Sequence, residues 1–207
     1  MTLRHPVVDS AFPPGDGTLS GRLMLDVALG LDDTDDILDD LEELLEDGEF
    51  HEFYPDDKVP TVREVRTLLA DVVAEHNRLV TETSPQRDAF FAALRALTER
   101  DVLASFSGTT LSDAVGDAFQ LATELQDAGE EVRGFVFSHR QDLERLITDD
   151  HLTVGFGSVA DDDAEAAAIG ALALDAFTRA GLDATWDGDV DHRIEIRGLR
   201  WAAPFDG

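Results

Sequence analysis

The sequence predicts an α+β protein, in which a helical N-terminal part is followed by a mixed sheet of about five strands with packed helices. The clearest element spans 163–180, where apolar residues recur at helical spacing and Gly181 follows as a stop signal. A strand-like run at 152–156 precedes this helix, and two more follow it at 182–186 and 193–199. These runs indicate a helix packed on a sheet.

The chain is expected to divide into three parts. Residues 1–17 are rich in proline and glycine and read as an irregular arm. Residues 18–100 form a helical subdomain, and 101–207 form the sheet domain with the order β-α-β-α-β-α-β-β. The alternative is one continuous domain from residue 18, since 207 residues are compatible with a single domain of good size.

Several elements of the helical part carry clear start signals. Helices are predicted at 19–29 and at 32–47, the second with an acidic outer face. Thr61 and Glu64 form a capping box that begins a long helix to about residue 82. His76 lies on the apolar face of that helix and is interpreted as a hydrogen-bonded core histidine.

In the sheet part, strands are predicted at 101–106 and 132–137, and Thr110 with Asp113 opens the helix between them. Ser138 and Gln141 are interpreted as the cap of a short helix that follows the second strand.

The strand at 152–156 alternates large apolar residues with glycine. Gly155 and Gly157 share one face, where a missing side chain allows close approach. We expect the alanine-rich helix 163–180 to pack against this face, its N-terminus capped by Asp161, Asp162 or Asp163.

The charge and the cysteine count exclude several classes of function. With 45 acidic and 16 basic residues, the chain has a formal net charge of −29. This field repels phosphate backbones and anionic membranes, so nucleic-acid and membrane binding are not expected. The absence of cysteine excludes disulfides and thiolate metal sites. No cofactor is predicted, and without an apolar leader near the start the expected location is the cytoplasm.

Two motifs resemble ligand sites and fail on spacing or charge. The segment 155–160 looks like a dinucleotide fingerprint, but three aspartates follow where the pyrophosphate needs a positive helix end. Asp187, Asp189 and Asp191 alternate as in a calcium loop, but no acidic residue follows at the twelfth position. The aspartates are therefore interpreted as a tight turn between the last two strands, and no metal site is predicted.

The candidate binding residues cluster where a central strand ends and a helix begins. They are His139, Gln141, Asp142 and Glu144, with Trp186 from the later turn. Ligands often bind at the carboxyl ends of strands in sheets with alternating helices. An aspartate or glutamate near His139 would orient its imidazole or raise its pKa. The alternative is that these residues only cap a helix, and no catalytic residue is assigned.

The segment 133–145 (RGFVFSHRQDLER) and the Trp186–Asp189 turn (WDGD) resemble the signature of a bacterial family described as a domain of unknown function. The resemblance covers about 62–201 and implies a shared fold without an activity. Many relatives carry a cysteine cluster after the aromatic residue that corresponds to Phe106, whereas this chain has Ser107-Gly-Thr-Thr-Leu-Ser112 there. A metal or redox role of those cysteines would therefore be absent from this chain.

The function expected from the sequence is that of a non-catalytic binding or regulatory module. The first alternative is an acidic decoy or immunity-type inhibitor of a basic protein partner, because the large negative charge would suit it. The second alternative is a small-molecule enzyme that uses the His139 cluster. The acidic charge is equally consistent with solubility or adaptation to salt.

Overall fold

The computed structural model describes residues 17–106, 108, 110–160 and 162–206. The irregular arm expected at 1–17 lies outside these residues except for Gly17, as do Ser107, Thr109 and Asp161. The described residues divide into two compact units, 17–84 with 201–206 and 85–200. None of the helices in the described ranges has the length and apolar character needed to cross a membrane.

Within its described residues, the first unit contains four helices: α1 (Leu19–Leu29), α2 (Thr34–Glu46), α3 (Phe50–Phe53) and α4 (Val62–Leu79). Thr61 and Glu64 form the predicted capping box of α4. His76 is buried, and its Nε2 donates to the carbonyl of Ala203 at 2.8 Å. The prediction of a hydrogen-bonded core histidine is confirmed. This contact also ties the end of the chain, 201–206, to the helices of the first unit.

The described part of the second unit contains four helices and a five-stranded mixed sheet. In chain order the elements are α5 (Pro85–Thr98), β1 (Val102–Ser105), α6 (Leu111–Asp127), β2 (Gly134–Phe137), α7 (Arg140–Asp149), β3 (His151–Ser158), α8 (Asp163–Arg179), β4 (Asp183–Thr185) and β5 (Ile194–Arg197). The sheet order is β1-β2-β3-β5-β4, with β1 and β2 parallel and the other pairs antiparallel. The α+β prediction, including its β-α-β-α-β-α-β-β order, is confirmed.

Helix α5 belongs to the second unit, because it packs on α8 and β1. The division in the structure therefore falls at residue 84, whereas the sequence suggested a boundary near residue 100. The helical subdomain expected at 18–100 includes this segment, but α5 contacts α8 and the sheet that follow it in the chain.

The two faces of the sheet are covered by different helices. On one face, Ile169, Ala173 and Phe177 of α8 are buried. On the other face, Ala114, Ala118 and Ala122 of α6 pack with the rings of Phe135 and Phe137 from β2. We refer to these as the α8 face and the α6 face.

Gly155 and Gly157 lie on the α6 face, so the expectation that helix 163–180 packs against them is wrong. A side chain at Gly155 would collide with the ring of Phe137, and a Cβ at Gly157 would lie 2.6 Å from the ring of Phe135. Helix α8 approaches the opposite face through its own Gly170, which accommodates the ring of Phe156. The close approach is made by aromatic rings of the neighbouring strand, which directly oppose the glycines in the antiparallel register.

Candidate functional site

Asp142 is the centre of a buried polar cluster beside β5. It lies in the first turn of α7, and its side chain has 0% exposure. Arg193 Nη1 donates to its Oδ2 at 2.6 Å, and His139 Nε2 lies 3.2 Å from the same oxygen. Arg145 Nη1 is 3.9 Å from Oδ1. A carboxylate buried to this degree requires a charged partner, and Arg193 provides it. We call these four residues the Asp142 cluster.

His139 is the N-cap residue of α7, and its side chain makes no capping hydrogen bond. Burial lowers the pKa of its imidazole; Asp142 opposes this shift, while Arg193 and Arg145 reinforce it. The neutral imidazole is therefore the favoured form at neutral pH.

The predicted cap by Ser138 and Gln141 is wrong. The hydroxyl of Ser138 instead donates to the carbonyl of Thr153 in β3 at 2.8 Å. Ser138 thus joins two strands, and the backbone alone begins helix α7 through the carbonyl of His139.

The segment between β4 and β5, residues 186–193, is longer than the tight turn expected from its aspartates and is internally bonded. The Trp186 indole N–H donates to the carbonyls of Asp189 and His192 at 2.9 and 3.0 Å. His192 Nδ1 lies 2.7 Å from Asp187 Oδ2, and this pairing raises the pKa of His192. The backbone N–H of Asp189 and then His192 lower the pKa of Asp187. These bonds hold the segment in a defined shape beside Arg193.

Arg193 lies between two concavities. One, of about 390 Å³, is formed by the segment 186–193 and its flanking strands and includes Trp186 and His192. The other, of about 600 Å³, opens on the α6 face. Because Asp142 holds one nitrogen of Arg193, the arginine is a fixed part of both walls.

The larger concavity, which we call the aromatic groove, has an apolar floor and an apolar wall. Phe135 and Phe137 form its floor over Gly155 and Gly157. Its wall on α6 is formed by a stripe at intervals of four residues, all of them exposed: Leu111, Val115 and Phe119. The opposite rim is formed by the start of α8 and the end of the segment 186–193.

The rim of the aromatic groove is acidic. Asp162, Asp163 and Asp191 line it, and Asp162 also caps α8 by accepting from the backbone N–H of Glu165 at 2.8 Å. The wall helix α6 carries four acidic residues and no lysine or arginine. The groove therefore combines an apolar interior with a negative surround.

The structure brings together part of the predicted site. His139 and Asp142 are in contact inside the Asp142 cluster, and Trp186 lines the smaller concavity with Arg193. Gln141 is exposed on α7 and Glu144 is half-buried there; neither lines the two concavities described above. Among the described residues, no group of three or more His, Cys, Asp or Glu side chains is arranged to hold a metal ion.

Neither Arg193 nor the aromatic groove is among the sites predicted from the sequence. The sequence places Arg193 at the start of a predicted strand, and its partner Asp142 is 51 residues away. For the groove there was a signal, because Leu111, Val115 and Phe119 recur every four residues beside the alanine stripe of the same helix. Two apolar stripes on one helix indicate that one of them faces something other than the core.

The comparisons with known proteins identify the family. Residues 16–204 match the family described as Domain of unknown function (DUF6891). The chain belongs to this family. The predicted resemblance to a family of unknown function is thereby confirmed, over a longer range than the signature suggested. No curated protein and no solved structure matches the chain.

Proposed function

We propose that this chain is a non-catalytic binding module and that the aromatic groove is its binding site. The observation that carries the proposal is that α6 buries its small apolar side chains and exposes larger ones. This helix buries Ala114, Ala118 and Ala122 while it exposes Leu111, Val115 and Phe119. Burying the larger side chains would be worth roughly 1.5–3 kcal/mol each. A helix that leaves them at the wall of a concavity has its apolar surface available for a partner.

The chemistry of the groove suits recognition better than catalysis. Its lining is mostly apolar, with Arg193 held in place by Asp142. His139, the strongest candidate for a general base, is buried and faces Asp142, and it does not line the groove. We infer that the Asp142 cluster positions Arg193 and the adjoining segment.

A neutral solvatochromic dye, Nile red, tests the proposal. We expect its emission to shift to shorter wavelength and increase when the dye enters the groove. Phe119→Glu should weaken dye binding by about tenfold or more, because it places a charge at the wall of an apolar site. Leu121→Glu is the matched control, since Leu121 is 40% exposed against 42% for Phe119, lies on the same helix and does not line the groove.

Equal dye binding by the two variants would contradict the proposal, as would the absence of dye binding by the unaltered chain. Both side chains are exposed, so both variants should melt close to the unaltered protein. If Phe119→Glu unfolds, Val115→Glu repeats the test one helical turn earlier on the same stripe.

A further inference from the structure

We propose that the occupant of the aromatic groove is a basic amphipathic helix of a partner protein. The proposal rests on the groove being the binding site and adds the class of partner. Its basis is the combination of an exposed helical stripe, an apolar floor and a rim lined by acidic side chains.

The shape of the wall fits a helix. Leu111 and Phe119, the two ends of the stripe, are eight positions apart, which is about 12 Å at 1.5 Å per residue. Such a stripe forms a ridge, and the side chains at positions i, i+4 and i+8 of a second helix can pack against it. The open side of the groove, between this wall and the rim at Asp163 and Asp191, is where that helix would lie.

The charges around the groove favour a positively charged partner. The basic groups that line it already have acidic partners, since Arg193 is bonded to Asp142 and His192 to Asp187. Asp163 and Asp191 line the rim and form no ion pair within 4 Å of an arginine or lysine among the described residues, and Asp191 interacts electrostatically with His192 beside it. Lysine or arginine residues beside the apolar face of an incoming helix would meet these carboxylates.

The same charges disfavour the other occupants of an apolar groove. Nucleic acids and anionic membranes carry the same sign as the rim. A second copy of this chain would carry a net charge of −29 itself, and its helices would bring acidic faces to an acidic rim. A basic helix contributes both the apolar contact and the opposite charge.

The test uses a labelled peptide of about 18 residues, long enough to form helix, with leucines on one face and lysines on the other. One control peptide has the same composition with the leucines scattered, and a second has glutamate in place of lysine. Binding is followed by fluorescence anisotropy and by displacement of Nile red. We expect the amphipathic lysine peptide to displace the dye and both controls to fail.

Phe119→Glu separates docking in the groove from general attraction to an acidic protein. It adds one negative charge, so non-specific attraction would strengthen binding, whereas docking should weaken it by about tenfold or more. Leu121→Glu adds the same charge outside the groove and should not weaken binding. Tight binding of the peptide to Phe119→Glu would overturn the proposal.

The double variant Asp163→Asn/Asp191→Asn tests the rim. At low salt it should weaken peptide binding by about three- to tenfold, and the difference should shrink toward molar salt as charges are screened. Asp39→Asn/Asp71→Asn makes the same change in net charge at exposed positions of the helical unit and is the matched control. Equal effects of the two double variants would overturn the assignment of the rim.

The dye and the peptide together distinguish two kinds of failure. If Nile red binds in the groove and the lysine peptide does not displace it, the binding function stands and the class of partner is wrong. If neither binds, both proposals are wrong.

Discussion

Each face of the sheet is covered by a helix rich in small residues, but the aromatic groove lies on the α6 face. On the α8 face, the large ring of Phe156 in the sheet packs against Gly170 of the helix, which has no side chain. On the α6 face, both the large rings and the glycines belong to the sheet, because Phe135 and Phe137 lie over glycines of the neighbouring strand. When the sheet fills its own gaps, the helix beside it needs only alanines. Its larger residues are then free to face outward.

The comparison predicts that two phenylalanines on opposite faces differ strongly in their contribution to stability. Phe177 of α8 is 0% exposed and stacks on Phe90 with ring centroids 5.5 Å apart. Phe177→Ala should lower the free energy of unfolding by about 3–5 kcal/mol. Phe119→Ala on α6 loses an edge contact to Phe135 and should cost about 1 kcal/mol or less. Urea denaturation measures both, and similar losses would contradict the difference between the faces.

Substitution of Arg193 tests whether the stability of the α6 face depends on the ion pair between Arg193 and Asp142. Arg193→Met leaves the fully buried carboxylate of Asp142 without its 2.6 Å partner and should cost about 3 kcal/mol. Adding Asp142→Asn should recover part of that loss, because the unpaired charge is then removed. An Arg193→Met variant that unfolds at the same urea concentration as the unaltered protein would show that the pair does not support this face.

Glycine substitutions should cost more on the α8 face than on the α6 face. A Cβ at Gly134 would lie 2.5 Å from the backbone oxygen of Gly157 and would collide with Ile169, so Gly134→Ala should cost about 3 kcal/mol. A Cβ at Gly155 would meet only ring atoms of Phe137, and a side chain can shift more readily than a backbone oxygen, so Gly155→Ala should cost less, about 1 kcal/mol. Gly155→Ala should also weaken Nile red binding, whereas a larger stability loss at Gly155 than at Gly134 would reverse the comparison.

The smallest expected effect is the pH dependence at the edge of the groove. Burial lowers the pKa of His139 below its ordinary 6.5, whereas Asp187 raises that of the exposed His192 above it. Because the unfolded chain binds a proton at His139 more readily than the folded chain, the contribution of His139 to stability should fall as pH drops below about 6.5 and level off above it. Buried His76 acts in the same direction. The slope for one such group is at most about 1.4 kcal/mol per pH unit. The raised pKa of His192 acts in the opposite direction.

NMR titration of the imidazole signals measures this ordering directly. His192 should titrate above pH 6.5 and His139 below it. The opposite order would mean that the environment of one of the two rings differs from the structure.

Local patterns were sufficient to predict the order of the strands and of the longer helices, although the short helix Phe50–Phe53 was not predicted. The capping boxes at Thr61 and Thr110 are both present, and Gly181 adopts the left-handed conformation that ends α8. Each of these features is decided within about one helical turn, so its signal is contained in a few neighbouring residues. The N-cap at Asp162 follows from the same local chemistry.

The site depended on contacts that no local pattern carries. His139 and Asp142 are three residues apart and could be predicted as neighbours, but the arginine that neutralises Asp142 comes from the segment before β5. The sequence also showed that Gly155 and Gly157 leave a gap on one face. It did not show what fills that gap, because strand register, which opposes them to Phe137 and Phe135, is set by pairing across the sheet.

The sequence by itself determined the fold class, the acidic character and the periodic helices, because residue type and spacing are sufficient for each of these. The tertiary structure alone decided which helix meets which face, and therefore that α6 buries its alanines and exposes Leu111, Val115 and Phe119. The physical reason is that a helix with two apolar stripes can bury either of them. The shape of the opposing surface, here the rings of Phe135 and Phe137, selects the stripe that fits.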